Sequence, residues 1–232
     1  MSAAGAPCWV EAGQPDPQRA AAFYDALFGW ETRDGVARFA GRAVAGLGPA
    51  PSAGWVTRVR VASVDDAVAR ARRADGTLVA RAGRCAVLAD PAGARFAVGE
   101  IGRAELVNEP GSWDLSTLHT PDPGGAEAFY GALFGWRAEP FGKIVLWRLP
   151  EYAGGVDGQP VPPDTVAIMV HDGAPARWSV DFRVHDAVAV ARRAVRLGAA
   201  LLDAPHDVPG FRTATLADPQ GAAFTVTQFT WA

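Results

Sequence analysis

Two short stretches set charge against apolarity in strict alternation. In Trp55-Val56-Thr57-Arg58-Val59-Arg60-Val61, the guanidinium groups of Arg58 and Arg60 fall on one parity and Val59 and Val61 on the other. In Ser179-Val180-Asp181-Phe182-Arg183-Val184, Ser179, Asp181 and Arg183 alternate with Val180, Phe182 and Val184. Strand side chains point alternately to opposite faces, so each stretch gathers its ionic groups on one side. Glu11, in a strand over 8–13, and His119, in a strand over 113–120, add a carboxylate and an imidazole. A partly desolvated carboxylate has its pKa raised toward neutrality, and an adjacent guanidinium stabilises a developing enolate or phenolate. That is equipment for proton transfer, with Glu11 the first candidate for general base and His119 the second. The competing reading makes these charges structural ion pairs or a solvated rim, and Arg60 and Arg183, near strand ends, fit a rim best.

The elements that must position these residues are duplicated. Phe23-Tyr24-Asp25-Ala26-Leu27-Phe28-Gly29-Trp30 returns as Phe129-Tyr130-Gly131-Ala132-Leu133-Phe134-Gly135-Trp136, and both copies follow an Asp-Pro pair at 16–17 and 122–123. A second mark, Ala89-Asp90-Pro91-Ala92-Gly93, returns as Ala217-Asp218-Pro219-Gln220-Gly221. Correspondences in the same order define a repeated module. Asp16 caps a helix with Pro17 at its first position, Ala20, Phe23, Tyr24, Leu27 and Phe28 share its apolar face, and Gly29 ends it. A second helix is expected from about Val64 to Ala74, a third over 123–134 and a fourth over 186–197, with short strands between. The expected organisation is an N-terminal module over 1–102, a linker over 103–112 and a C-terminal module over 113–232. The insertion from Pro150 to Asp164 has no counterpart in the first half and suits a loop over a cavity.

Trp9-Val-Glu-Ala, the Asp-Pro before Phe-Tyr, Leu-Phe-Gly-Trp, and the closing Asp-Pro-x-Gly-x-x-Phe resemble the vicinal oxygen chelate superfamily. Glyoxalase I, extradiol dioxygenases and bleomycin-resistance proteins belong to it. The resemblance implies an α+β fold of duplicated, paired βαβββ modules that form incomplete barrels around a ligand cavity. Carried over residue by residue, the positions that hold a metal in some members fall on Trp9, Val56 and Ala97 in the first half and on Leu115, Ser179 and Thr225 in the second. None is a competent ligand for a divalent cation, so no metal and no cofactor is expected.

Those positions also set the phase of each strand. Trp9 and Glu11 are expected to face the cavity, with Arg58 and Arg60; so are Leu115, Thr117 and His119, with Ser179, Asp181 and Arg183. Trp9 and Trp147 are the candidates for stacking on a flat ligand. Tyr24, Tyr130, Trp30, Trp136, Trp55 and Trp178 are expected in the core. Catalytic roles fall to Glu11, Asp181, Arg58 and His119. Ligand-binding roles fall to Trp9, Arg60, Leu115, Thr117, Trp147, Ser179 and Arg183.

A net charge of −3 gives no electrostatic case for nucleic acid or an anionic membrane. Hydrophobic residues at 49% and charged residues at 20% are those of a globular protein with a sizeable core. Cys8 and Cys85 have no metal or redox spacing and read as reduced thiols in a cytoplasmic protein, with a single disulfide as the alternative; the start lacks a signal-peptide pattern. The expected partner is a small molecule, and the chain is a monomer or homodimer. The first functional reading is a metal-independent acid–base enzyme of secondary metabolism that isomerises, cyclises or eliminates an aromatic or polyketide-like compound. The second is a non-catalytic protein that sequesters a drug, of the bleomycin-resistance type. The third is a metal-dependent glyoxalase or dioxygenase.

Overall fold

A computed structural model describes residues 4–102, 104–150, 152–154, 161–173 and 175–230. In the first half the elements are β1 (Pro7–Gln14), α1 (Pro17–Phe28), β2 (Glu31–Arg33), β3 (Val36–Phe39), β4 (Arg42–Pro49), β5 (Gly54–Arg60), α2 (Val64–Arg73), β6 (Thr77–Ala82), β7 (Cys85–Ala89) and β8 (Arg95–Gly99). The second half repeats them as β9 (Trp113–His119), α3 (Pro123–Phe134), β10 (Arg137–Phe141), β11 (Ile144–Arg148), β12 (Thr165–Val170), β13 (Arg177–Arg183), α4 (Ala187–Arg196), β14 (Ala200–Val208), β15 (Phe211–Ala217) and β16 (Ala223–Phe229).

Local chemistry sets the helix ends where the sequence places them. The Asp16 carboxylate accepts from the Arg19 N–H at 2.9 Å, and Asp122 does the same for Gly125 at 2.9 Å. These side chains satisfy N–H groups that the first turn leaves without intrahelical partners. Gly29 and Gly135 close α1 and α3 at φ 75° and 76°, a left-handed conformation that glycine adopts without a Cβ penalty. Ser63 and Asp186 cap α2 and α4 in the same way.

Each half supplies one eight-stranded mixed sheet, in the orders β2-β3-β4-β1-β5-β8-β7-β6 and β10-β11-β12-β9-β13-β16-β15-β14. Every βαβββ module runs through a helix and an antiparallel meander, and its last strand returns parallel to its first. The parallel pairs are β1 with β4, β5 with β8, β9 with β12, and β13 with β16.

Packing groups these modules into two compact units, each drawing one module from either half. One unit takes in Met1–Trp9, Thr57–Arg103 and Ser116–Trp178; the other takes in Val10–Val56, Ala104–Leu115 and Ser179–Ala232. In the first unit, α2 and α3 share a core in which Phe96, Phe129, Tyr130 and Trp147 are almost wholly buried. Gly76 belongs there for a steric reason: a Cβ would sit 2.6 Å from the Phe129 ring. In the second unit, Phe23, Tyr24 and Phe28 of α1 pack against Phe182 of β13 and Phe224 of β16. Trp30, Trp55, Trp136 and Trp178 all pack in or against these cores, Trp55 and Trp178 as their strand parity predicts and Trp30 and Trp136 just beyond the helix ends.

The expected linker is tied down where it is described. The Gly111 N–H donates to the Arg183 carbonyl at 2.8 Å, and the Arg183 N–H to the Ser112 carbonyl at 3.0 Å. Gly111, at φ 92°, makes this a glycine bulge, and Trp30 Nε1 donates to its carbonyl at 2.7 Å. Gly5, Ala6 and Arg60 repeat the arrangement, with Trp136 Nε1 on the Gly5 carbonyl. Cys8 and Cys85 form no disulfide. Among the described residues no helix is long and apolar enough to cross a membrane. Part of the 150–164 insertion lies outside the described residues; at its base Arg148 pairs with Asp164, and Tyr152 packs on the core.

Candidate functional site

In the unit containing Ser179–Ala232, strand register fixes which side chains leave the core. Val180, Phe182 and Val184 join the apolar cluster, as do Phe224 and Val226, so the alternating residues face the other way. Asp181 pairs with Thr225 and Arg183 with Thr227; across β15, Thr215 and Thr213 continue the rows. The outcome is a hydroxyl-rich face carrying one acid and one guanidinium group. Thr215 and Thr225 approach each other at 3.4 Å between hydroxyl oxygens. Apart from Thr225, named above as a position that holds a metal in some relatives, these threonines were not singled out from the sequence, although Thr213-Ala-Thr215 and Thr225-Val-Thr227 carry the same alternation.

Arg183 is held from two sides. Its guanidinium carbon sits 3.5 Å from the centroid of the Phe229 ring, and its Nη1 donates to the Asn108 carbonyl at 2.5 Å. Stacking on an aromatic face while bonding a carbonyl keeps the planar group in one orientation. Asn108 itself adopts φ 59°, a left-handed conformation that asparagine tolerates better than most residues.

The residue that sequence reasoning missed is Asp114. Burial pushes its carboxyl up to about 7; the Asp181 charge adds to the rise, and the Arg183 guanidinium opposes it. A group poised there is half acid and half base near neutral pH. The signal was available: the first-half counterpart of Asp114 is Cys8, an uncharged and buried residue. Leu115 and Ser179 are half-buried.

Glu11 is half-buried on β1 and pairs with Gly46 of β4. Its neighbours Val10 and Ala12 enter the same apolar cluster as Val180 and Phe182. Glu11 and Asp181 therefore turn away from a core that they share, and the expected single hollow holding both carboxylates is corrected. The cause is that the two acids lie on different sheets, a fact that strand phase alone does not contain.

In the other unit, Arg58 pairs with Ala97 and Arg60 with Gly99, opposite in phase to the buried Val59 and Val98. The Arg58 stem lies over Gly99, where a Cβ would meet its Cδ at 2.8 Å and the Cys85 sulfur at 3.2 Å. Trp9 and Thr117 are buried. His119 Nδ1 lies 2.6 Å from Asp172 Oδ2, and Arg177 approaches the same oxygen at 3.6 Å. Burial lowers the His119 pKa; the Asp172 hydrogen bond opposes that. Trp147, expected to stack on a ligand, is wholly buried against Tyr130 and Trp136. Its register with Ala138 and Ala167 puts it on the core face, one residue out of phase with the cavity reading.

The donor set does not fit a divalent cation at the positions carried over from metal-binding relatives. Only Ser179 and Thr225 offer oxygen there, and both are neutral hydroxyls. Among the described residues no three of His, Cys, Asp and Glu gather as a metal would require.

The glyoxalase-like domain family matches twice, over residues 9–99 and 116–227. The chain belongs to the glyoxalase-like domain family, within the vicinal oxygen chelate superfamily. Its glyoxalase-like sequence is 33% identical over 266 residues to the anthracycline biosynthesis protein DauV of a Streptomyces species, covering 97% of this chain and 94% of that one. It is 32% identical over 255 residues to a putative glyoxylase of Mycobacterium bovis, covering 96% and 94%. The Mn(II)-bound glyoxalase of Novosphingobium aromaticivorans shares the fold at a TM-score of 0.64 and 16% identity, over 98% of this chain and 83% of that one. The repeated βαβββ plan is therefore that of the glyoxalase-like superfamily.

Proposed function

We propose that this glyoxalase-like protein is an acid–base enzyme of secondary metabolism that isomerises, cyclises or eliminates an aromatic, polyketide-like compound without a metal. The observation that carries the reading is Asp114, a carboxyl poised at about 7 beside Asp181 and Arg183. In this reading one carboxyl of the pair removes a proton from carbon or oxygen, Arg183 stabilises the resulting oxyanion, and the proton returns at a second position. The threonine hydroxyls beside Asp181 suit the oxygen substituents of such a compound. Glu11 is assigned the role of a base on the polar face of β1, and Arg58 separately that of a guanidinium on the polar face of β5. The substrate class draws on the likeness to DauV, an anthracycline biosynthesis protein. The module boundaries we assign are 1–102 and 113–232.

The test is incubation with anthracycline-type aromatic polyketides in deuterium oxide, with mass spectrometry of the recovered compound. Turnover or deuterium uptake that falls about 100-fold in both Asp114→Asn and Asp181→Asn supports the reading. Tight binding with quantitative recovery of unaltered, undeuterated compound overturns it in favour of a sequestering protein. Turnover that survives both substitutions rejects the assigned residues.

A further inference from the structure

We infer that Asp172 positions His119 as a proton acceptor, giving the unit containing Ser116–Trp178 its own proton-transfer group, chemically unlike the carboxyl pair at Asp114 and Asp181. The inference rests on the acid–base reading above and adds a residue that lies on no strand and in neither repeated motif.

Three separate segments converge on this point. His119 ends β9 and pairs with Val170, while Thr117 pairs with Ile168. The intervening pair, Leu118 and Met169, belongs to the apolar core, so the imidazole faces away from it. Asp172 sits in the connection that follows β12, next to Gly173, whose φ of 68° turns the chain. Arg177 opens β13. The Nδ1 to Oδ2 separation of 2.6 Å and the 3.6 Å approach of Arg177 to the same oxygen bind all three groups together. The His119 and Asp172 side chains are 19% and 29% exposed, so the pair is open to solvent on one side.

The chemistry follows from the partner. The inference assigns the ring hydrogen to Nδ1, because a carboxylate only accepts hydrogen bonds, and with it the basic lone pair to Nε2. Burial favours the neutral ring, which is the form a base needs. In the proton-transfer step, Nε2 takes a proton from a carbon next to a carbonyl of the aromatic or polyketide-like substrate. The C–H electron pair moves to the carbonyl oxygen as an enolate, and the charge of the imidazolium is balanced by the Asp172 carboxylate. Returning the proton to a different carbon completes an isomerisation with no oxidant or reductant. Asp172 acts through His119, as a positioning residue.

The experiment uses the full chain with 15N-labelled histidine, and His119→Gln assigns the ring signals. Nitrogen shifts across pH report the tautomer and the pKa of His119 without any substrate. The wild type is expected to hold the Nδ1–H tautomer. Asp172→Asn is expected to mix the tautomers and lower the pKa, and Asp172→Glu to restore both in part. An unchanged tautomer and pKa in a folded Asp172→Asn protein overturns the positioning role; where the Asn variant does not fold, the same constancy in Asp172→Ser overturns it. On an aromatic polyketide found to be turned over, His119→Gln is expected to slow deuterium uptake about 100-fold and Asp172→Asn about tenfold. Loss of uptake in the Asp114 and Asp181 variants with full activity in both of these overturns the inference and leaves the broader reading intact. If no such compound is turned over, the broader reading fails, while the nitrogen shifts still decide the Asp172–His119 relationship.

Discussion

The phenol of Tyr24 donates to the Asp218 carboxylate at 2.9 Å, joining residues 194 positions apart. Tyr130 does the same to Asp90 at 3.0 Å. Each bond locks the Phe-Tyr helix of one half to the Asp-Pro-x-Gly turn of the other. Trp55 and Trp178 donate in turn to the two phenols, each at 2.9 Å, so both copies are three-member chains. The aspartates also accept the backbone N–H groups of their own turns, from Ala222 and from Ala94. The two sequence marks that reveal the repeat are thus the two ends of one buried interaction.

Removing a phenol hydroxyl strands an indole N–H and weakens a buried carboxylate. Tyr24→Phe and Tyr130→Phe are each expected to cost about 1–3 kcal/mol in urea unfolding. The Tyr24 variant loses less carboxylate solvation, because Gln14 Nε2 still donates to Asp218 at 2.7 Å. Equal or stabilising effects of the two substitutions contradict this account.

Trp136 and Trp147 offer a paired comparison. Trp136 Nε1 bonds the Gly5 carbonyl at 2.7 Å, whereas Trp147 Nε1 is buried with no hydrogen-bond partner among the described residues. Both substitutions to phenylalanine remove volume, and only Trp136→Phe also orphans a carbonyl. Trp136→Phe is expected to be the more destabilising by about 1 kcal/mol. Thermal unfolding of the two variants checks the order.

Asp114 makes stability depend on pH in a direction opposite to that of a salt-bridged carboxylate. Its folded value of about 7 lies above the unfolded value of 3.8, so the native state binds the extra proton. The stabilisation is complete below the unfolded value and drains away as pH rises to about 7, by roughly 4 kcal/mol across that window. Asp90 is raised by burial and acts with the same sign. Asp114→Asn is expected to flatten the fall in unfolding free energy between about pH 4 and 8. A slope unchanged by the substitution contradicts the assignment.

Gly76 is required by contact, since its φ lies outside the left-handed region. An added methyl would press on the Phe129 ring at 2.6 Å and on the Ala71 carbonyl at 3.1 Å. Gly76→Ala is expected to destabilise by about 1–3 kcal/mol. Combining it with Phe129→Leu, which withdraws the ring, is expected to cost less than the sum of the two single substitutions.

How far the sequence could be read depended on whether a feature is local or paired. Asp16, Pro17 and Gly29 act on their own helix, so α1 was legible in its ends and its face. The alternation around Arg58 and Asp181 was legible because each strand carries its phase within itself. Trp147 was misplaced because β11 has one more buried neighbour, Leu146, which blurs its alternation. Asp114 escaped notice because its environment is made by Asp181 and Arg183, nearly seventy residues away. The separation of Glu11 from Asp181 followed from which modules pack together, and periodicity does not encode that.

The mixed ancestry of the two compact units bears on how the chain is made. The core built around Tyr130 has all its parts once Trp178 has left the ribosome, whereas the one around Tyr24 waits for Phe224 and Val226. The first helix synthesised therefore closes its core last, and its aromatic face needs shelter through most of translation.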